Sequence, residues 1–570
     1  MKRIFSFIKK YKIQAIAAPV FKMTEALLEL FVPLVISNII DKGIAFSDKQ
    51  FIIKEAALLF LLAAAGLFFS VTAQYMSAKA AVLSAADMRS ALFKHIQSFS
   101  FSQYDKTGAS TLITRMSSDI NQVQTGVNLS LRLLLRSPFI VFGAMIMAFT
   151  LDFKSALIFV VTIAVLSLIV FPIMVVNIKK NKEVQEKVDK VLLSVRENLT
   201  GVRVIRAFGK ENEETNIFEE RNRSLNFAQR TVGKISALMN PLTLVTVNCA
   251  VIVLIYTGAL KVDKGVLSAG TVVALYNYMG QILVELVKLA NLIINITKSV
   301  ASAKRISAIF DMPTDYSVEN GAVPEDNSVE FSGVSFKYDG AGGNSLTDIS
   351  FEIPCGAKVG VIGPTGSGKS TLVNLIPRFY FANDGFVNVG KVNVNDITTE
   401  TLRRFIGIVQ QKSVLFKGSV RENLLIGGKA TDEELTEVLK LSESYDFVSK
   451  KDGFLDYVIE QGGKNLSGGQ RQRLAVARAL VGKPSILILD DSSSALDFAT
   501  ELRLRKNLFS LPYNPTVFVV SQRVSSVKDC DVILVLDNGT LVGKGTHSEL
   551  LLSCEVYGEI YHSQFKKEGE

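Results

Sequence analysis

Two stretches of this 570-residue chain carry residue types that handle phosphate. GPTGSGKST, residues 363–371, fits G-x-x-x-x-G-K-[ST], with the apolar run KVGVI before it and helical spacing after it. Glycines let backbone N–H groups turn inward around a polyphosphate, and a helix start adds partial positive charge. In that arrangement Lys369 reaches the β- and γ-phosphates and the Ser370 hydroxyl ligates Mg²⁺. Gly363, Pro364, Thr365, Gly366, Ser367, Gly368 and Thr371 complete the cradle. ILILDD, residues 486–491, runs four apolar residues into two aspartates, and Asp490 is placed to present a carboxylate to a magnesium nucleotide. LSGGQRQR, 466–473, leads into a helix, where Ser467, Gly468, Gly469 and Gln470 offer a second set of N–H groups to an anion.

These loops need strands and helices to hold them. VEFSGVSFKYDG and LTDISFEIP alternate like half-buried antiparallel strands. KVGVIGP, VNVGKVNV, ILILDD, TVFVVSQ and DVILVLDNG are denser apolar runs, as expected of a sheet covered on both faces. Residues 431–449 and 469–482 have helical spacing. Strands alternating with helices predict an α/β domain over 329–570.

The first 300 residues are different in kind. Six stretches, about 14–40, 52–78, 128–150, 154–178, 235–261 and 267–299, are long and apolar enough to span a bilayer. A cleaved leader does not fit an N-terminal apolar stretch of this length followed by five more. The N-terminal segment and the loops 79–127 and 179–234 are rich in Lys and Arg, the last holding thirteen. The positive-inside rule puts these loops, and residues 300–570, in the cytoplasm. The net charge of +9 therefore belongs beside anionic headgroups, and no nucleic-acid partner is expected. The four cysteines show no framework spacing and predict free thiols without a metal site. A polar linker at 311–328 separates a membrane domain, 1–310, from the α/β domain.

The order and spacing of these motifs resemble an ATP-binding cassette (ABC) exporter half-transporter over essentially the whole chain. The resemblance implies six transmembrane helices with long cytoplasmic extensions, then a P-loop nucleotide-binding domain using ATP and Mg²⁺. It implies that Tyr338 stacks on adenine and that Gln411, with Phe416 five residues on, contacts Mg²⁺ together with Ser370 and Asp490. Ser467 to Gln470 match the family's signature loop and face a partner's ATP. Ser494, Ala495, Leu496 and Asp497 match its D-loop. Segments 104–124 and 197–214 are similar to cytoplasmic loops that carry coupling helices, expected near 104–110 and 208–214.

Two residues depart from the family pattern, and both fall at the step of phosphoryl transfer to water. Where the family has a glutamate that polarises water, this chain has Asp491, one methylene shorter and so roughly 1.5 Å back. Where the family has a switch histidine, it has Gln522, which donates a hydrogen bond but passes no proton. An intact signature beside an impaired catalytic pair predicts a heterodimer with a homologous half-transporter that supplies the glutamate and histidine. Alternatives are a slow homodimer and an ATP-gated regulatory protein. The expected setting is the cytoplasmic (inner) membrane of a bacterium, in contact with lipid, with amphiphilic or drug-like molecules as cargo. Glu25 and Glu29 in the first span and Glu285 with Lys288 in the sixth are charged groups of the membrane half: acids facing a cavity would suit cationic amphiphiles, while the alternative is that Lys22 pairs with Glu25 and Lys288 with Glu285.

Overall fold

A backbone inside lipid must satisfy its own hydrogen bonds, and an uncharged run of this length does so as a helix. The computed structural model describes residues 2–315, 318, 321–492 and 495–565. It divides into two units, Met1–Gln97 with Ala109–Met312, and Ser98–Gly108 with Pro313–Glu570.

Among the described residues six helical stretches of the first unit are long and apolar enough to cross a membrane: Lys12–Ile44, Lys49–Gln97, Ala109–Leu151, Phe153–Ala207, Glu211–Asp263 and Ala269–Phe310. Phe153–Ala207 has 55 residues and is roughly 80 Å long at the helical rise, against a hydrocarbon core of about 30 Å. The long helices therefore extend well past any bilayer. Reversals are tight and capped. Asp152 alone joins two helices, and its carboxylate accepts from the Ser155 N–H at 2.7 Å. Ser268 caps the sixth helix in the same way.

The intramembrane charges singled out in the first and sixth spans are paired. Lys22 meets Glu25 at 2.5 Å and Lys288 meets Glu285 at 2.9 Å, as their spacing allows. The sequence did not point to Arg136. Its buried guanidinium holds Glu285 at 2.6 Å and Glu29 at 2.7 Å, and the Ser137 hydroxyl donates to Glu285 at 2.8 Å. Tyr278 is fully buried and donates to the Leu30 carbonyl at 2.6 Å, so it packs between helices.

A short helix, Phe101–Thr107, lies at the first expected coupling segment, beginning three residues before the expected 104. Gly108 ends it with φ 75°. At the second segment the expectation fails. The helix runs unbroken to Ala207, turns over Phe208–Lys210 with Gly209 at φ 61°, and restarts at Glu211. Residues 197–207 contain no breaker except Gly201, whose cost of about 1 kcal/mol in a long helix does not interrupt it.

Among the described residues the second unit is built on twelve strands. They are β1 Val329–Phe336, β2 Leu346–Ile353, β3 Lys358–Ile362, β4 Asp384–Val389, β5 Val392–Asn393 and β6 Ile406–Val409, then β7 Gly418–Ser419, β8 Val458–Ile459, β9 Ile486–Asp490, β10 Thr516–Val520, β11 Val532–Asp537 and β12 Thr540–Gly545. The main sheet has the order β12-β11-β3-β10-β9-β6, parallel except for β12. Its strands β3, β9 and β10 are buried along their whole length. Alternate side chains feed two cores: Leu487 and Leu489 face Leu474 and Leu480, while Ile486 and Ile488 face Val359, Leu372 and Phe518. VNVGKVNV does not belong to this sheet. It forms β4 and β5 beside β1 in the smaller antiparallel sheet, where Asp384 to Phe386 are exposed, and the additional parallel strand is β6.

Candidate nucleotide site

Three parallel strands, β3, β9 and β10, end side by side, and the chemistry-bearing residues follow their carboxyl ends. Open α/β sheets bind ligands at such a crevice. Beyond β3 the loop needs glycine at three points: a side chain on Gly363 would run into the Leu536 carbonyl. Gly366 has φ 84° and Gly368 φ 95°, and a side chain on Gly368 would meet the Ser345 carbonyl at 2.7 Å. The helix Lys369–Leu375 starts directly after it.

Lys369 is buried and turned back into the loop. Its Nζ donates to the carbonyls of Gly363 at 2.9 Å and Pro364 at 2.7 Å. Burial holds its ammonium below the usual lysine range, against the pull of Asp490 and Asp491. Ser370 Oγ donates to Asp490 Oδ1 at 2.9 Å. Burial pushes the Asp490 carboxyl up and the neighbouring Asp491 charge adds to it, opposed by the Ser370 hydrogen bond and Lys369. A cation next to this pair would restore the carboxylate, so the donor set fits a divalent ion that carries phosphate.

Asp491 follows with φ 46°, a left-handed conformation that aspartate tolerates better than most residues. Its N–H donates to the Val520 carbonyl at 3.0 Å, tying β9 to the end of β10. Gln411 Nε2 donates to Asp491 Oδ2 at 3.4 Å, and Gln411 lines the cavity while Gln410 does not. Across the mouth, Thr365 Oγ1 donates to Gln522 Oε1 at 3.4 Å. Together with Tyr338, Gly366, Gly368 and Thr371 these residues surround a cavity of about 540 Å³. Tyr338 Oη lies 3.1 Å from Thr371 Oγ1, and its ring stands edge-on to Phe336 and Tyr380.

Six lining residues were not anticipated: Asn344 and Ser345 before β2, Val520 and Ser521 at the end of β10, and Asn538 and Gly539 in the β11–β12 turn. An Asn-Gly pair between apolar runs signals a hairpin. It says nothing of what the turn faces.

The signature residues lie elsewhere. Ser467 to Gln470 do not line this cavity. Ser467 caps the helix Gly468–Val481 reciprocally: its hydroxyl accepts from the Gln470 N–H at 3.3 Å, and Gln470 Oε1 accepts from the Ser467 N–H at 3.0 Å. Gln472 holds the Ala495 N–H at 3.1 Å, so Ala495 and Leu496 sit against the start of that helix, and Asp497 caps the next. Ser494 lies outside the described residues.

Two family models match the chain, the ABC transporter transmembrane region over residues 15–286 and the ABC transporter model over 346–494. The uncharacterized ABC transporter ATP-binding protein YfiB of Bacillus subtilis is 34% identical over 576 residues, covering 100% of this chain and 99% of YfiB. The chain belongs to the ABC transporter family. An ATP-dependent lipid A-core flippase of Vibrio vulnificus is 28% identical over 99% of this chain and 97% of its own. A solved bacterial Atm1-family ABC exporter with ATP bound shares the fold, with a TM-score of 0.83 at 22% identity, over 97% of this chain and 99% of that one. This ABC transporter chain thus joins a transmembrane region to an ATP-binding, ATP-hydrolysing domain.

Proposed function

We propose that this chain is the ATP-holding subunit of a heterodimeric bacterial exporter in the cytoplasmic membrane, with residues 1–310 as its membrane domain, 311–328 as linker and 329–570 as ATPase domain. The observation that carries the reading is the Asp491 and Gln522 pair at the mouth of an otherwise complete cavity. The loop 363–371 cradles the phosphates, Lys369 neutralises the outer ones, and Tyr338 stacks on adenine. Ser370, Asp490 and Gln411 are the residues that would hold Mg²⁺, whose charge would steady the phosphates. Asp491 and Gln522 occupy the positions where water is oriented and the γ-phosphate is gripped. A short carboxylate and an amide that passes no proton leave hydrolysis slow there, because positioning and charge supply nearly all of the rate.

Signature residues that do not line their own chain's cavity suit a head-to-tail pair, in which Ser467 to Gln470 complete the partner's site. The partner then supplies the glutamate and histidine. ATP binding closes the pair and turns the membrane cavity outward, and hydrolysis at the partner's site reopens it. Cargo of amphiphilic character fits the membrane half, where Lys22, Arg136 and Lys288 already neutralise the acids.

The test is composition. The tagged chain is extracted from its native host in mild detergent, and the masses in the ATP-binding complex are measured. A second chain of similar size with Asp-Glu after its own apolar strand is expected. A complex of this chain alone that hydrolyses ATP briskly overturns the reading in favour of a homodimer.

A further inference from the structure

The loop that carries Gln522 is held from a direction the motifs do not suggest. Its neighbours on the sheet side fix only one end: the Ser521 N–H donates to the Val361 carbonyl at 3.1 Å, and Ser521 Oγ accepts from the Arg523 N–H at 3.0 Å. The Gln522 carbonyl and the Val524 N–H, two residues apart, point the other way. Both are taken by one side chain. Gln564 Nε2 donates to the Gln522 carbonyl at 2.7 Å, and Gln564 Oε1 accepts from the Val524 N–H at 2.8 Å. An amide bound to a C=O and an N–H at this spacing copies a strand neighbour. The Val524 N–H opens the short helix Val524–Val527 and has no partner within it.

Gln564 is the last residue of the helix Glu555–Gln564, none of whose residues lines the nucleotide cavity. Tyr557 on this helix is fully buried and its hydroxyl lies 2.7 Å from His547 Nδ1. The helix therefore has a fixed seat in the core and presents Gln564 at its free end. Side-chain motion of Gln522 is governed by where its backbone sits, and that backbone is clamped by Gln564.

We propose that Gln564 is a positioning residue for the switch position: it sets the reach of Gln522 toward the γ-phosphate and so the preference of this site for ATP over ADP. The inference rests on the reading that Gln522 contacts the γ-phosphate. Aspartate at 491 leaves this site holding rather than turning over, so selectivity for the triphosphate is what the switch residue contributes here.

The experiment uses the purified full-length complex and photolabelling of this chain by 8-azido-ATP, with ATP and ADP as competitors. The ratio of their inhibition constants is the readout. Gln564→Ala is expected to lower the ATP preference about three- to tenfold, the range of one or two hydrogen bonds. In the Gln522→Ala background the same substitution is expected to change nothing, since coupled residues are non-additive. Gln564→Glu keeps the acceptor for Val524 but offers no donor to the Gln522 carbonyl, and should resemble alanine at neutral pH. An unchanged ratio in Gln564→Ala, or an equal drop in the Gln522→Ala background, overturns the proposal. If Gln522→Ala by itself leaves the ratio unchanged, the reading of Gln522 fails and the proposal falls with it.

Discussion

Gln411 and Asp491 stand 3.4 Å apart, amide nitrogen to carboxylate oxygen, at the mouth of the nucleotide cavity. The contact joins the segment after β6 to the end of β9 and aims the short carboxylate at a glutamine. A glutamate in place of Asp491 would extend its carboxyl group roughly one C–C bond, about 1.5 Å, further from the backbone.

Restoring both departures should therefore restore turnover. Asp491→Glu with Gln522→His is expected to raise single-turnover hydrolysis at this chain's site about 10- to 100-fold. Either change alone should give less than the pair. No gain in the double variant places the impairment in the partner's signature loop.

Lys369 tests the cradle. Lys369→Ala removes a charge-assisted donor and should weaken ATP photolabelling of this chain about tenfold or more. Its partner the Gly363 carbonyl is buried and loses this donor, so stability should fall as well, by about 1–3 kcal/mol.

Asp490 should make stability depend on pH in an unusual sense. Its carboxyl lies above the ordinary carboxylate range, chiefly through burial and then through Asp491. The folded state thus holds this proton more tightly than the unfolded chain. Its contribution is present at low pH and is lost as pH rises through the folded value. Without nucleotide, Asp490→Asn should melt higher than the wild type near neutral pH. That advantage should shrink as pH falls through the carboxylate range. A melting series with both proteins decides it, and an advantage independent of pH contradicts the assignment.

Arg136 is expected to be structural. Removing Arg136 leaves Glu29 without its partner and Glu285 with only Lys288 and Ser137, so the cost should approach, from below, the about 3–5 kcal/mol of breaking a buried pair. Arg136→Met should lower yield and melting temperature sharply in detergent. Adding Glu285→Gln and Glu29→Gln should recover much of the loss. Failure of that rescue would falsify charge compensation as the role of Arg136.

The P-loop, the end of β9 and the signature helix were legible because each is local: the glycines of 363–368, the apolar run of 486–489 and the capping box of 467–470 each fit within a dozen residues of chain. VNVGKVNV was assigned to the wrong sheet, since apolar density alone does not separate a covered parallel strand from an antiparallel strand beside β1. Arg136 was invisible because its carboxylates lie 107 and 149 residues away. Gln564 was missed for a related reason. Its clamp on Gln522 spans 42 residues, and a glutamine at a helix end carries no pattern. The second coupling segment misled because the resemblance supplied a separate short helix at 208–214, where the chain turns at Gly209 and the next long helix starts directly at Glu211.

The most direct test of the central claim follows the nucleotide on this chain. The complex is photolabelled with 8-azido-ATP carrying an α-phosphate label after several rounds of turnover, and the nucleotide bound to each chain is identified as triphosphate or diphosphate. The account predicts that this chain retains ATP while ADP accumulates in solution and on the partner. Diphosphate appearing on this chain at the rate of bulk turnover would contradict it.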